Sequence, residues 1–138
     1  MASFMRNILF VLFVLLHLDY ACAVDIEQTW TEEIYLEKNE IPYSVFSIQL
    51  KIDNSNIVIG ELCSIVNYGN KIDCPIPFAS KLINNQIKVH FDSTFGGKNG
   101  IAMIRLQEDN LIWELITAPN GEYYFATKAK LLPEKIEL

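Results

Sequence analysis

Three observations place this chain in the all-β class. Apolar residues recur at every second position, turn-forming residues interrupt the pattern roughly every 8 to 14 positions, and no segment after residue 23 carries the periodicity of an amphipathic helix. The predicted architecture is a small antiparallel meander of about seven to eight strands, closed as a barrel or folded as a sandwich, with one hairpin disulfide. Closure would remove the exposed edges that a short meander otherwise offers to aggregation.

The first element is predicted to be lost. Arg6 precedes an apolar run from Ile8 to Leu18, interrupted only by His17, and Ala21-Cys22-Ala23 has the small-x-small form of a cleavage site. Residues 1–23 therefore read as a signal peptide, and the run is short of the roughly 18 to 20 apolar residues that a membrane span requires. Acylation of Cys22 as a lipoprotein would need a small or aliphatic residue where Asp19 and Tyr20 stand. The mature chain, 24–138, is then one β domain without stable membrane insertion, exported to the periplasm or secreted.

Phe46, Ile48, Leu50 and Ile52 alternate with Ser47, Gln49, Lys51 and Asp53, the pattern of a half-buried strand, and Asp53-Asn-Ser-Asn56 turns the chain. Ile57 to Val66 makes the next strand and Lys71 to Cys74 a short return about Tyr68-Gly69. Folding there sets Cys63 against Cys74, Ile65 against Ile72 and Ser64 against Asp73, so the apolar pair is expected to face inward with the disulfide. With 23 residues removed, Cys63 and Cys74 are the two cysteines left, and an oxidising compartment pairs them. Pro75 and Pro77 are expected to end the pairing, leaving 76–83 as a connector, loop or short helical turn. Asn84-Asn85 suits the positive φ of a tight hairpin. Ile87, Val89 and Phe91 then point inward while Lys88, His90 and Asp92 face water. Beyond the glycine-rich break at 96–100, strands are predicted at Ile101 to Leu106 and Leu111 to Ile116, both apolar on two faces. The expected reason is cover by the N-terminal segment or the 76–83 connector, and the alternative is a surface patch for a partner.

Composition narrows the function. The chain has 138 residues, 51% hydrophobic and 20% charged, which excludes a disordered or multidomain protein. Eleven Lys and Arg against 17 Asp and Glu give a net charge of -6, which argues against nucleic acid and for a basic partner. Two cysteines and one distant histidine cannot complete a zinc site, and no cofactor is predicted. His90, Asp92 and Ser93 lie close in sequence, but strand alternation turns Ser93 away from the other two, and no oxyanion hole accompanies them. No pair of carboxylates stands out for glycoside chemistry. Gly96-Gly97-Lys98-Asn99-Gly100 lacks the Lys-Ser/Thr ending of a phosphate loop. An enzyme is not expected.

Two loops remain as candidate partner-binding elements. Lys98 and Asn99 on the glycine-rich loop could offer a cation and an amide to an acidic cleft. Asn120, Gly121, Tyr123 and Tyr124 form the other, where tyrosine supplies rigid contact area with a polar tip and one of the two adjacent rings is expected to pack inward. Asn120-Gly121-Glu122-Tyr123-Tyr124 resembles the Ser-Gly-x-x-Tyr loop of bacterial periplasmic lysozyme inhibitors, small disulfide-bonded β proteins that insert a loop into the lysozyme cleft. Asn120 stands where those proteins have serine. The order of the Gly60-x-x-Cys63 strand, Ile72-Asp73-Cys74, the 96–100 loop, Leu111-Ile112-Trp113 and Gly121-Glu122-Tyr123-Tyr124 is also similar to small exported bacterial proteins of unassigned function. The resemblance implies an exported inhibitor of, or immunity factor against, a basic cell-wall hydrolase. The rival expectations are a carrier of a small apolar ligand and a structural component of the envelope.

Overall fold

The computed structural model describes residues 25–38 and 40–135; the predicted signal peptide lies outside the described residues. Eight strands follow one another: β1 (Ile26–Ile34), β2 (Ser44–Ile52), β3 (Ile57–Val66), β4 (Lys71–Ile83), β5 (Gln86–Phe91), β6 (Gly100–Gln107), β7 (Asn110–Thr117) and β8 (Lys128–Pro133). Each pairs antiparallel with the next, and β8 returns to β1, so the meander is a closed up-and-down barrel. The all-β expectation and the barrel branch of it both hold.

Closure gives alternate residues one interior to fill. Ile48, Leu50, Val58, Leu62, Ile87, Val89, Ile104, Leu111 and Leu131 are fully buried there. Phe46, Phe91, Trp113 and Phe125 stack in the same core at centroid separations of 5.0 to 6.0 Å, most of them edge to face. The indole N–H of Trp113 donates to the carbonyl of Ala126 at 2.8 Å, which satisfies its polar atom inside the apolar cluster. The segment ahead of β2 is itself a strand of the wall: Trp30 lies opposite Ile48, is buried, and donates to the carbonyl of Asp109 at 2.9 Å.

Three expectations are corrected. Pro75 and Pro77 do not end a strand, because β4 runs through both. They fall where β4 pairs with β3 and not with β5, since β4 and β5 share only Leu82↔Ile87 and Ile83↔Gln86. A missing N–H costs little along a seam where no neighbour would accept it. Second, the hairpin register is as expected, with Ile65↔Ile72 and Ser64↔Asp73, but the faces are inverted. Ser64 and Asp73 are buried, whereas Ile72 is exposed and Ile65 half-buried. The register shifts between Leu62 and Ser64, so Cys74 and Pro75 together oppose Cys63, and Asp73 and Ile76 both reach the inside. The disulfide between Cys63 and Cys74, across a Cα separation of 4.5 Å, marks this bulge. Third, neither the 76–83 segment nor the chain from Ile26 lies over β6 and β7, because both are strands of the wall. Ile101, Met103 and Ile112 are half-buried on the outside and Ile116 is exposed.

Candidate binding rim

The up-and-down topology sends the chain segments 35–38, 40–43, 67–70, 92–99 and 118–127 to one end of the barrel. Both candidate loops are therefore neighbours at one rim, although residues 101–118 separate them in sequence. They are joined by backbone: Lys98 and Asn120 form an antiparallel bridge, the Lys98 N–H donating to Asn120 at 3.0 Å and the Asn120 N–H to Lys98 at 2.8 Å. The N–H of Gly97 donates to Glu122 at 2.9 Å.

Glycine is required at this junction. Gly121 has φ of 118°, and a Cβ there would lie 3.1 Å from the Gly97 Cα. A Cβ on Gly97 would come within 2.7 Å of the Glu122 carbonyl. Two side chains here would push the loops apart.

Asp73 holds the rim from below. Its buried carboxylate accepts the Ser93 hydroxyl at 2.6 Å, the Thr94 N–H and hydroxyl at 2.8 and 2.9 Å, and the Tyr124 N–H at 3.4 Å. A buried carboxylate is costly unless its oxygens are satisfied, and these donors satisfy both. Ser64, opposite Asp73, donates to the Tyr124 carbonyl at 2.5 Å. The polar pair of the β3–β4 hairpin thus fixes the glycine-rich loop through Ser93 and Thr94, and the other loop through the backbone of Tyr124. Sequence reasoning missed Asp73 because its partners stand 20, 21 and 51 positions away.

Asp92 fixes the outer side. Its carboxylate accepts the Asn99 N–H at 2.9 Å and lies 3.5 Å from Lys98 Nζ. The Asn99 hydrogen bond, aided by the Lys98 charge, holds the Asp92 carboxyl below the usual aspartate range. The loop amides at Gly97, Lys98 and Asn99 are therefore all engaged within the chain. What the loop presents outward is the Lys98 ammonium and the Asn99 side-chain amide.

The two tyrosines divide their work. Tyr123 packs against the hydrophobic core. Tyr124 meets Phe95 edge to face at 4.8 Å, and Lys71 Nζ sits 5.6 and 5.7 Å from the two ring centroids. The Tyr124 hydroxyl donates to Glu122 at 2.6 Å, and this bond, with some desolvation, raises its pKa above 10.0. Tyr43 and Tyr68, in contact at 5.3 Å, extend the aromatic surface along the rim. Lys71, Phe95, Tyr43 and Tyr68 were not singled out from sequence, since only the topology gathers them.

His90, Asp92, Ser93 and Asn99 line one outer pocket of about 470 Å³, in which the Ser93 hydroxyl is committed to Asp73 and the Asp92 carboxylate to the Asn99 N–H. Among the described residues, no group of three or more His, Cys, Asp or Glu is placed to hold a metal ion. No helix among them is long and apolar enough to cross a membrane. The chain matches no family model, no curated protein and no solved structure.

Proposed function

We propose that this protein is exported and binds another protein through the rim formed by 96–100 and 119–124, inhibiting or giving immunity to a basic cell-wall hydrolase. The observation that carries the reading is the Lys98–Asn120 bridge, which turns two separately notable loops into one braced projection. A pre-formed projection loses little conformational entropy on binding. Its outward groups suit a cleft lined by carboxylates: Lys98 supplies a cation, Asn99 and Asn120 supply amides, and Tyr124 supplies a rigid ring. The net charge of -6 would steer the protein toward a basic partner before those contacts form. The Cys63–Cys74 disulfide is compatible with the oxidising compartment in which such hydrolases work.

A carrier of an apolar ligand is the less supported reading. Trp113, Phe46, Phe91 and Phe125 already occupy the barrel interior, and a ligand would have to displace them. The test is lysis of a peptidoglycan suspension by several lysozyme types and by any co-encoded hydrolase, with and without the protein. Inhibition of at least one at micromolar excess is expected. Failure against all of them, with an apolar molecule recovered from the native protein by mass spectrometry, would favour the carrier.

A further inference from the structure

A second surface lies on the barrel wall toward the end opposite the rim. Ile57 and Ile59 on β3 and Ile83 at the end of β4 are 45%, 62% and 65% exposed, well beyond their strand neighbours facing the core. Register places cations among them. Lys51 lies opposite Ile59, Lys81 lies opposite Ile57, and Lys88 lines the same groove between β4 and β5 as Lys81. Arg105 lies opposite Gln86, which pairs with Ile83. All four are exposed, and none makes a salt bridge among the described residues.

The geometry is most pronounced at the β4–β5 seam. A groove of about 600 Å³ there has Ala79, Ile83 and Met103 as its apolar surface, with Lys81 and Lys88 on its two banks and no acid in its lining. Like charges on paired strands repel, and an anion between them removes the repulsion. Acids border the groove without lining it: Glu27 lies opposite Lys51, Glu61 lies two positions beyond Ile59, Glu114 is opposite Met103 and 4.0 Å from Lys128, and Asp53 accepts the N–H groups of its own turn at Ser55 and Ile57.

We infer that this face docks on an anionic lipid surface. Charge complementarity sets the sign: in a chain of net charge -6, Lys81 and Lys88 line an acid-free groove with Arg105 opposite Gln86 and three exposed isoleucines beside them, and of the four cations Lys51 alone has an acid, Glu27, directly opposite it. A second copy does not fit face to face, because it would set these cations against their own duplicates. A protein interface gathers its apolar residues at the centre and is poor in lysine, whereas here lysines and isoleucines interleave. The headgroup zone of a bilayer accepts both together, phosphates meeting the ammonium groups while short aliphatic chains enter the acyl boundary. Docking by this wall would leave the rim, at the other end of the barrel, free for a protein partner. The inference does not depend on what that partner is.

Vesicle sedimentation tests it, using the purified protein with its N-terminus established by intact mass. Vesicles of phosphatidylcholine alone are compared with vesicles containing equal phosphatidylglycerol. Binding is expected to the anionic vesicles only, and to weaken by about tenfold or more on raising salt from 0.05 to 0.5 M. Lys81→Glu with Lys88→Glu should abolish it, Lys81→Arg with Lys88→Arg should retain it, and Ile59→Ser with Ile83→Ser should weaken it. Lys38→Glu with Lys130→Glu, the same charge change elsewhere, should leave it within about twofold. Equal binding to neutral vesicles, absence of binding to either, or indifference to the Lys81 and Lys88 reversals would overturn the inference. So would capture of an acidic protein by this face without vesicle binding. The wild-type lipid and salt comparisons decide the matter even if a variant misfolds.

Discussion

Asp73 shows how one side chain can determine what two loops do. Removing its carboxylate leaves the buried Ser93 hydroxyl and the part-buried Thr94 and Tyr124 N–H groups without their acceptor, so Asp73→Ala should destabilise the protein by about 3 kcal/mol or more. Asp73→Asn, which keeps one acceptor oxygen, should cost less. Denaturant melts of both variants measure this; a loss under about 1 kcal/mol for Asp73→Ala would show that the rim does not depend on it. Asp92 acts at the surface, chiefly through the Asn99 hydrogen bond that its ionised form accepts. Its pKa is lowered in the folded protein, so its contribution is fully present above the unfolded value and lost as pH falls through the folded one. Asp92→Asn should therefore flatten the acid side of the stability profile below about pH 4 and leave the neutral side shallow, as melts across that range would reveal. Neither role was legible in the sequence. Alternation alone assigned Ile65 and Ile72 to the interior, because it scores a residue by polarity and cannot see that Asp73 finds distant donors.

At the scale of elements, the strands carrying Leu50 and Val89 were readable because one face of each is apolar and the other polar, whereas those carrying Val58 and Trp113 are apolar on both faces and were readable from the turns that bound them. β1 was harder, since between Ile26 and Ile34 at its two ends only Trp30 is apolar, with Gln28, Thr29, Thr31 and Glu32 around it. The far half of β4 was misread for a different reason. A proline rule assumes neighbours on both sides, and β4 has only β3 beside Pro75 and Pro77. The β3–β4 hairpin is further fixed by its disulfide, which closes a loop of sequence separation 11. Replacing Cys63 and Cys74 together by Ala should destabilise the barrel by about 2 to 4 kcal/mol while leaving its β content intact. Circular dichroism with urea melts tests this, and an unchanged midpoint would mean that the bulge is held by its hydrogen bonds alone. Glycine at 121 should matter comparably: Gly121→Ala meets both a φ of 118° and the Gly97 backbone, for an expected loss of about 1 to 2 kcal/mol in the same melts.

The whole molecule is a closed barrel whose two ends differ. At one end, two loops far apart in sequence meet through paired backbone; toward the other, cations and isoleucines share a wall. Each candidate residue on the loops was legible from local composition, but their convergence was not, because the bridge between positions 98 and 120 exists only once the strands between them have closed. If the rim binds a basic hydrolase, added salt should slow association by screening the steering field and change dissociation less, which stopped-flow mixing measures. The most direct test is the inhibition constant of Lys98→Ala and of Tyr124→Ala against a hydrolase that the wild-type protein is found to inhibit in the lysis assay, with His90→Ala as the wall control. The rim reading predicts a loss of about 1 to 3 kcal/mol for each of the first two and almost none for the third. Full inhibition by both rim variants, or a loss confined to His90→Ala, would contradict it.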